Sequence, residues 1–157
     1  MKRRNSQKDA FLRSISDDSC VEAVKEKFEY MAFSLQFFDN SQKAGQDFHE
    51  WTREQLERLL DKLKSYCGNT MEYWKKQRIG HGHSHVLEIY ERFPFNSGFT
   101  HPKHVPADVQ WGRWRLEYDM RLVGFTIGSE TCTRLHISSN VFYIVFLDAN
   151  HLFYKSA

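Results

Sequence analysis

The stretch VFYIVFLD, residues 141–148, constrains the fold more than any other part of the chain, because it is apolar at odd and even positions alike. Successive side chains of a β-strand point to opposite faces of a sheet, so this strand has to be covered on both sides and lie inside a sheet. Two more strands precede it, WGRWRLEYD (111–119) and RLVGFTIG (121–128), close enough to form a hairpin through Tyr118, Asp119 and Met120. HVLEIYERF (85–93) is a fourth candidate. The three prolines, Pro94, Pro102 and Pro106, fall in residues 94–110, which read as a long loop, and SETCTRLHISSN links the last two strands.

Helical patterns fill the first half. In FHEWTREQLERLLDKLKSYC (48–67), Trp51, Leu56, Leu59, Leu60 and Leu63 form one apolar stripe, and Gly68-Asn69 ends it with residues that tolerate left-handed backbone. Asn69 or Thr70 then caps a short helix, MEYWKKQ. Further upstream, Asp17, Asp18 or Ser19 can cap a helix carrying Val21, Val24, Phe28, Met31, Ala32 and Leu35 at helical spacing, although AFSLQFF (32–38) alternates like a strand. The expected fold is α+β: two or three N-terminal helices packed on one side of a curved antiparallel sheet of about four strands. Residues 18–157 form a single domain, and residues 1–17 a flexible basic arm whose KRR can touch phosphate. The 13 Phe, 7 Tyr and 4 Trp supply a core that rules out a disordered chain.

A net charge of +2 is mild for a nucleic-acid-binding domain, so any site for a polyanion has to be a local patch. Cys20, Cys67 and Cys132 are odd in number and far apart, which fits reduced thiols and a cytosolic compartment. No run approaches the roughly 18 apolar residues of a membrane-spanning helix, and the basic start has no apolar segment behind it, so neither export nor a membrane partner is expected.

Several chemistries compete. His81, His83 and His85 in HGHSH alternate, as some zinc sites require, although their glycine neighbours favour a loop. Cys132 stands four residues from His136 and near Arg134, a weak nucleophile pattern. No glycine-rich phosphate loop is present. RWRLEYD is more informative: Arg113, Arg115, Glu117 and Asp119 share one strand face and Trp114, Leu116 and Tyr118 the other, with Arg121 just past the turn. Guanidinium groups hold phosphate bidentately and a His or Glu moves protons, so this face, beside a strand ending in His151 and Tyr154, has the parts for phosphodiester cleavage.

The order of residue types in RWRLEYDMRLVGFTI and VFYIVFLDANHLFY resembles the C-terminal sheet of the RelE/ParE/YoeB toxin superfamily, over roughly residues 111–154, with REQLERLLDKLK compatible upstream. The ending also resembles that of small uncharacterised bacterial proteins with a terminal Leu-Asp-x-Asn-His motif. The toxin resemblance implies a RelE-like component of a bacterial toxin–antitoxin or phage-defence system: a cytosolic, metal-independent endoribonuclease with no cofactor. On it, Arg121 matches the arginine opening the penultimate strand of the ribonuclease members. His151 and Tyr154 match their terminal His and Tyr, here separated by Leu152 and Phe153, and Glu117 is the expected carboxylate base, although the family's own acidic residue lies earlier. The 2′-OH of an RNA ribose, deprotonated by Glu117 or His151, would attack its adjacent phosphate. Arg115 and Arg121 would stabilise the phosphorane, His151 or Tyr154 would serve the leaving 5′-oxygen, and Arg113, Arg134 and Lys155 would bind RNA. Implied partners are RNA, including ribosome-bound mRNA, a cognate antitoxin and a second copy in a homodimer.

The chain is longer than typical members, the loop at 94–110 has no counterpart in them, and ParE-like members do not cleave RNA. Two alternatives from other classes are a non-catalytic protein-interaction module with exposed aromatics and a metal-binding protein built on His81, His83 and His85.

Overall fold

Burial on both faces governs how the chain is arranged. The computed structural model describes residues 29–155 together with Gln7, Ala10 and Phe11. Along these residues run strand β1 (Ala32–Ser34), a 3-10 turn (Phe48–Glu50), helices α1 (Arg53–Tyr66) and α2 (Met71–Lys76), strands β2 (Leu87–Tyr90), β3 (Gln110–Arg115) and β4 (Arg121–Thr126), helix α3 (Ser129–Leu135) and strand β5 (Val141–Asp148). They form one sheet in the order β1-β5-β4-β3-β2, antiparallel except where β1 pairs in parallel with β5. As the apolar run requires, β5 is an interior strand.

The α+β class is as expected, and the sheet differs from the expected antiparallel one of about four strands. It has five strands and is mixed, because Ala32–Ser34 of the ambiguous segment extends along β5. Three residues are too few to display a period of two against the helical spacing around them. The helix expected from about residue 18 lies mostly outside the described residues, as does the arm at 1–17 apart from Gln7, Ala10 and Phe11. The linker between β4 and β5, expected only as a connection, contains α3. Helix α1 starts only at Arg53, because Thr52 accepts from the Gln55 N–H while the Gln55 side chain accepts from the Thr52 N–H, a capping box. Leu60 points to solvent, so the stripe is Leu56, Leu59, Leu63 and Tyr66.

The sheet separates two apolar layers. Under the helices, Leu59, Tyr66 and Met71 pack on Leu87, Trp114, Leu122, Phe142, Ile144 and Leu147. The opposite layer, Trp111, Val123, Phe125, Val145 and Phe146, is covered by Phe99, Val105 and Val109 of the proline-bearing loop and by Phe153 of the tail. That loop is therefore a structural lid on the second face. A register shift between Val123 and Gly124 lets both Val145 and Phe146 face this layer, and the Val145 carbonyl accepts from Asp39 N–H at 2.8 Å, beyond the end of β1. Gly124 is required there: a Cβ would lie 2.0 Å from the Tyr143 carbonyl oxygen.

Tyr66 ties the two halves together, its hydroxyl donating to the backbone carbonyl of Arg115 at the end of β3. Burial pushes this phenol up to about 12, so its contribution to stability is intact below its ordinary value of 10 and lost as the pH rises toward 12. Tyr66→Phe leaves that carbonyl without its partner and is expected to lower the unfolding free energy by about 1–2 kcal/mol in urea denaturation.

Candidate functional site

Strand register assembles the site. Glu88 lies opposite Arg113, Arg115 opposite Arg121, and Arg121 opposite Asp148. Directly opposed residues share a sheet face, so these five side chains rise on the same side, at the end of the sheet left open by the aromatic layer. Four of them, Glu88, Arg113, Arg115 and Arg121, line a cavity of about 180 Å3 together with Ser84, His85 and His151, while Asp148 is buried beside it.

His151 reaches the cavity because the chain reverses after β5. The buried Asp148 carboxylate accepts from Asn150 N–H at 3.3 Å, Leu152 N–H at 2.9 Å and Phe153 N–H at 2.8 Å. Phe153 is thereby drawn into the second apolar layer, and His151 is held at φ 55°, a left-handed conformation that non-glycine residues seldom adopt. Asp148 is thus an organiser of the turn, and the imidazole is its product. Arg113 contacts Nε2 of His151 and lies 3.4 Å from the Glu88 carboxylate, which also accepts from Tyr90 Oη at 3.4 Å and from His85 N–H at 3.3 Å.

The charge balance is one-sided. Arg113 has Glu88, whereas among the described residues neither Arg115 nor Arg121 has a carboxylate within ion-pair distance. Arg121 is almost wholly buried, its Nη1 donating to the Tyr118 and Met120 carbonyls at 2.7 and 2.9 Å. Burial first, then the guanidiniums of Arg115 and Arg113, pull its pKa below the ordinary value. Burial likewise, with Arg121 and Arg113 next, lowers the His151 pKa from its ordinary 6.5, so the ring is neutral at pH 7 and its Nε2 lone pair faces a cation.

The fold keeps His151 neutral, so its contribution to stability is fully present above pH 6.5 and is lost as the pH falls through the lowered folded value. An NMR titration of the His151 ring is expected to give a midpoint below 6.5. Arg113→Ala removes one of the two neighbouring cations and is expected to move that midpoint upward while burial still holds it down.

The expected site residues are distributed as follows. Arg113, Arg115, Arg121 and His151 come together. Tyr154 stands at the rim, stacked on Tyr90 at 5.0 Å between centroids, with the Arg113 guanidinium 5.6 Å from its ring. Lys155 follows it at the surface. Glu117 does not reach the cavity: its carboxylate pairs with Arg58 of α1 at 2.8 Å. Regular strand geometry stops at Arg115, so the alternation that placed Glu117 beside the arginines, and Tyr118 with the buried face, does not extend into the turn, where Tyr118 is exposed at φ 49°.

Arg134 lies on α3, beyond the C-terminal end of β4 and so away from Arg121 at its start. His81, His83 and His85 do not gather. Ile79 N–H bonds the Ser84 carbonyl, so the segment is a turn with His81 and His83 exposed and His85 back at the cavity. No group of three metal-ligating side chains occurs among the described residues. Cys132 is buried, its thiol donating to the Ile127 carbonyl and pushed up in pKa by burial, the reverse of an activated nucleophile.

Glu88 is the residue the sequence reading missed as a cavity carboxylate. Its signal was parity: it stands between Leu87 and Ile89, as Arg113 stands between Gly112 and Trp114, but only the strand pairing says that the two meet. No helix among the described residues is long and apolar enough to cross a membrane. Comparison of the chain with protein-family models, with curated proteins and with solved structures returns no match.

Proposed function

We propose that the chain is a RelE-like toxin component of a bacterial toxin–antitoxin or phage-defence system, acting as a metal-independent endoribonuclease at the cavity formed by Arg113, Arg115, Arg121 and His151. The observation that carries this reading is the opposition of Arg115 and Arg121 across β3 and β4, two like charges in one cavity with no carboxylate of the described residues within ion-pair distance of either. Like charges opposed on a sheet face are unfavourable, and a phosphate between them reverses the sign of the interaction. The donor set is also cationic where a divalent metal site needs carboxylates.

In the proposed reaction the phosphate draws Arg113 off His151 Nε2, and the freed lone pair of the neutral ring takes the proton of a ribose 2′-OH, which attacks the adjacent phosphorus. Arg115 and Arg121 hold the non-bridging oxygens and stabilise the charge that gathers on them in the transition state. Glu88, which replaces Glu117 as the cavity's carboxylate, orients Arg113. His85, the other imidazole in the wall, protonates the departing 5′-oxygen in this reading, and Tyr154 positions the chain at the rim. The products are a 2′,3′-cyclic phosphate and a 5′-hydroxyl, and the 2′-OH requirement selects RNA.

Incubation of purified protein with structured and unstructured RNA in EDTA tests this. Cyclic-phosphate ends that are absent with His151→Ala support the proposal. RNA left intact by the wild-type protein removes it and leaves a protein-interaction module. Growth arrest on expression, relieved by a neighbouring small open reading frame, tests the antitoxin.

A further inference from the structure

Beside the arginine cavity lies a second hollow of about 160 Å3, lined by Pro94, Phe95, Asn96, Tyr154 and Lys155. Its construction follows from the tail. Gly98 N–H donates to the Leu152 carbonyl at 2.8 Å and Ser97 N–H to the Pro94 carbonyl at 3.3 Å, so the tip of the 94–98 turn is tied against residues 152–155. Gly98 permits the approach, since a Cβ there would lie 3.1–3.2 Å from Leu152. The tie leaves Phe95 fully exposed and Tyr154 partly exposed, both lining the hollow. Tyr154 is braced from beneath by Tyr90, whose ring lies nearly parallel to it at 12°. No carboxylate lines the hollow among the described residues, and Lys155 adds a cation.

We propose that this hollow is a nucleobase subsite, in which Phe95 and Tyr154 hold the base of a nucleotide flanking the phosphate in the arginine cavity. This inference rests on the RNA reading above and names how that substrate is gripped. Arg113 joins the two places, because it lines the phosphate cavity and its guanidinium lies 5.6 Å from the Tyr154 ring. A chain whose phosphate meets Arg113 therefore has its neighbouring base at Tyr154. Stacking on an aromatic ring accepts every base, since each has a π-face, and the Asn96 amide supplies a donor and an acceptor for its edge. Lys155 meets the next phosphate. The occupant is thus single-stranded RNA, because a paired base does not offer its face to an aromatic ring.

The test is binding by fluorescence anisotropy of 2′-O-methyl hexanucleotides, which lack the attacking hydroxyl, with one abasic position walked along the strand. Phe95→Ala is expected to weaken binding about tenfold and Phe95→Trp to restore it. One abasic position is expected to weaken the wild-type protein by a similar factor and to add nothing in Phe95→Ala. Binding indifferent to Phe95→Ala, or abasic losses that add fully to it, overturns the subsite. Phe95-dependent binding without cleavage of the unmodified RNA removes the nuclease reading alone, and cleavage with Phe95-independent binding removes the subsite alone. A wild-type protein that binds no hexanucleotide removes the subsite as well.

Discussion

Asp148→Ala is expected to lower the unfolding free energy by about 3–5 kcal/mol, since each backbone N–H donor left without an acceptor costs about 1–3 kcal/mol. The effect is large because the carboxylate accepts from three backbone N–H groups, on Asn150, Leu152 and Phe153, and is itself fully buried. Alanine leaves those donors without acceptors and releases the reversal that seats Phe153 against Trp111 and Phe99. For a chain of this length the loss corresponds to a fall in Tm of about 10 °C. Asp148→Asn tests the argument more finely. It keeps the volume but turns one acceptor into a donor facing an N–H, so it is expected to recover only part of the loss. Thermal unfolding followed by circular dichroism reads both variants, and a fall of less than about 1 kcal/mol for Asp148→Ala would contradict the organising role.

Arg121→Ala is expected to slow the proposed cleavage about 10²–10³-fold in kcat, the range for removing one preorganised donor to a developing oxyanion. Arg121 is preorganised by its surroundings: Nη1 is fixed by two backbone carbonyls, which leaves the rest of the fork for the cavity. Arg121→Lys keeps the charge and loses the fork, so it is expected to restore only part of the rate. Because Arg121 also anchors the Tyr118 and Met120 carbonyls, the alanine variant loses stability too. The two effects separate when activity is measured well below each variant's own Tm, where a purely structural role predicts full recovery of rate.

Legibility in the sequence tracked the length over which a periodic signal ran. β5 was placed as an interior strand because eight residues carry apolar side chains on both parities, and α1 was recognised by its stripe, although Thr52 set its start. β1 was open to two readings because its three residues fit a helical and an extended pattern alike. Convergence of Arg121 with His151 was foreseen from the order of strand, turn and tail. Glu117 was misplaced because alternation was carried past Arg115, where the strand ends. Glu88 was missed because a carboxylate on one strand says nothing of which residue on another strand faces it. The capping role of Asp148 was legible only as a turn-forming residue type, and its three acceptor bonds belong to the folded tail.

In the proposed cleavage an RNA 2′-hydroxyl attacks its own phosphate between Arg115, Arg121 and His151. The most direct measurement is cleavage, in EDTA, of an oligonucleotide cut by the protein and of the same oligonucleotide with a single 2′-deoxy substitution at the cut position. This one substitution is expected to abolish cleavage at that bond, while the unmodified strand yields a 2′,3′-cyclic phosphate. A bond cut equally with and without its 2′-hydroxyl would contradict this mechanism.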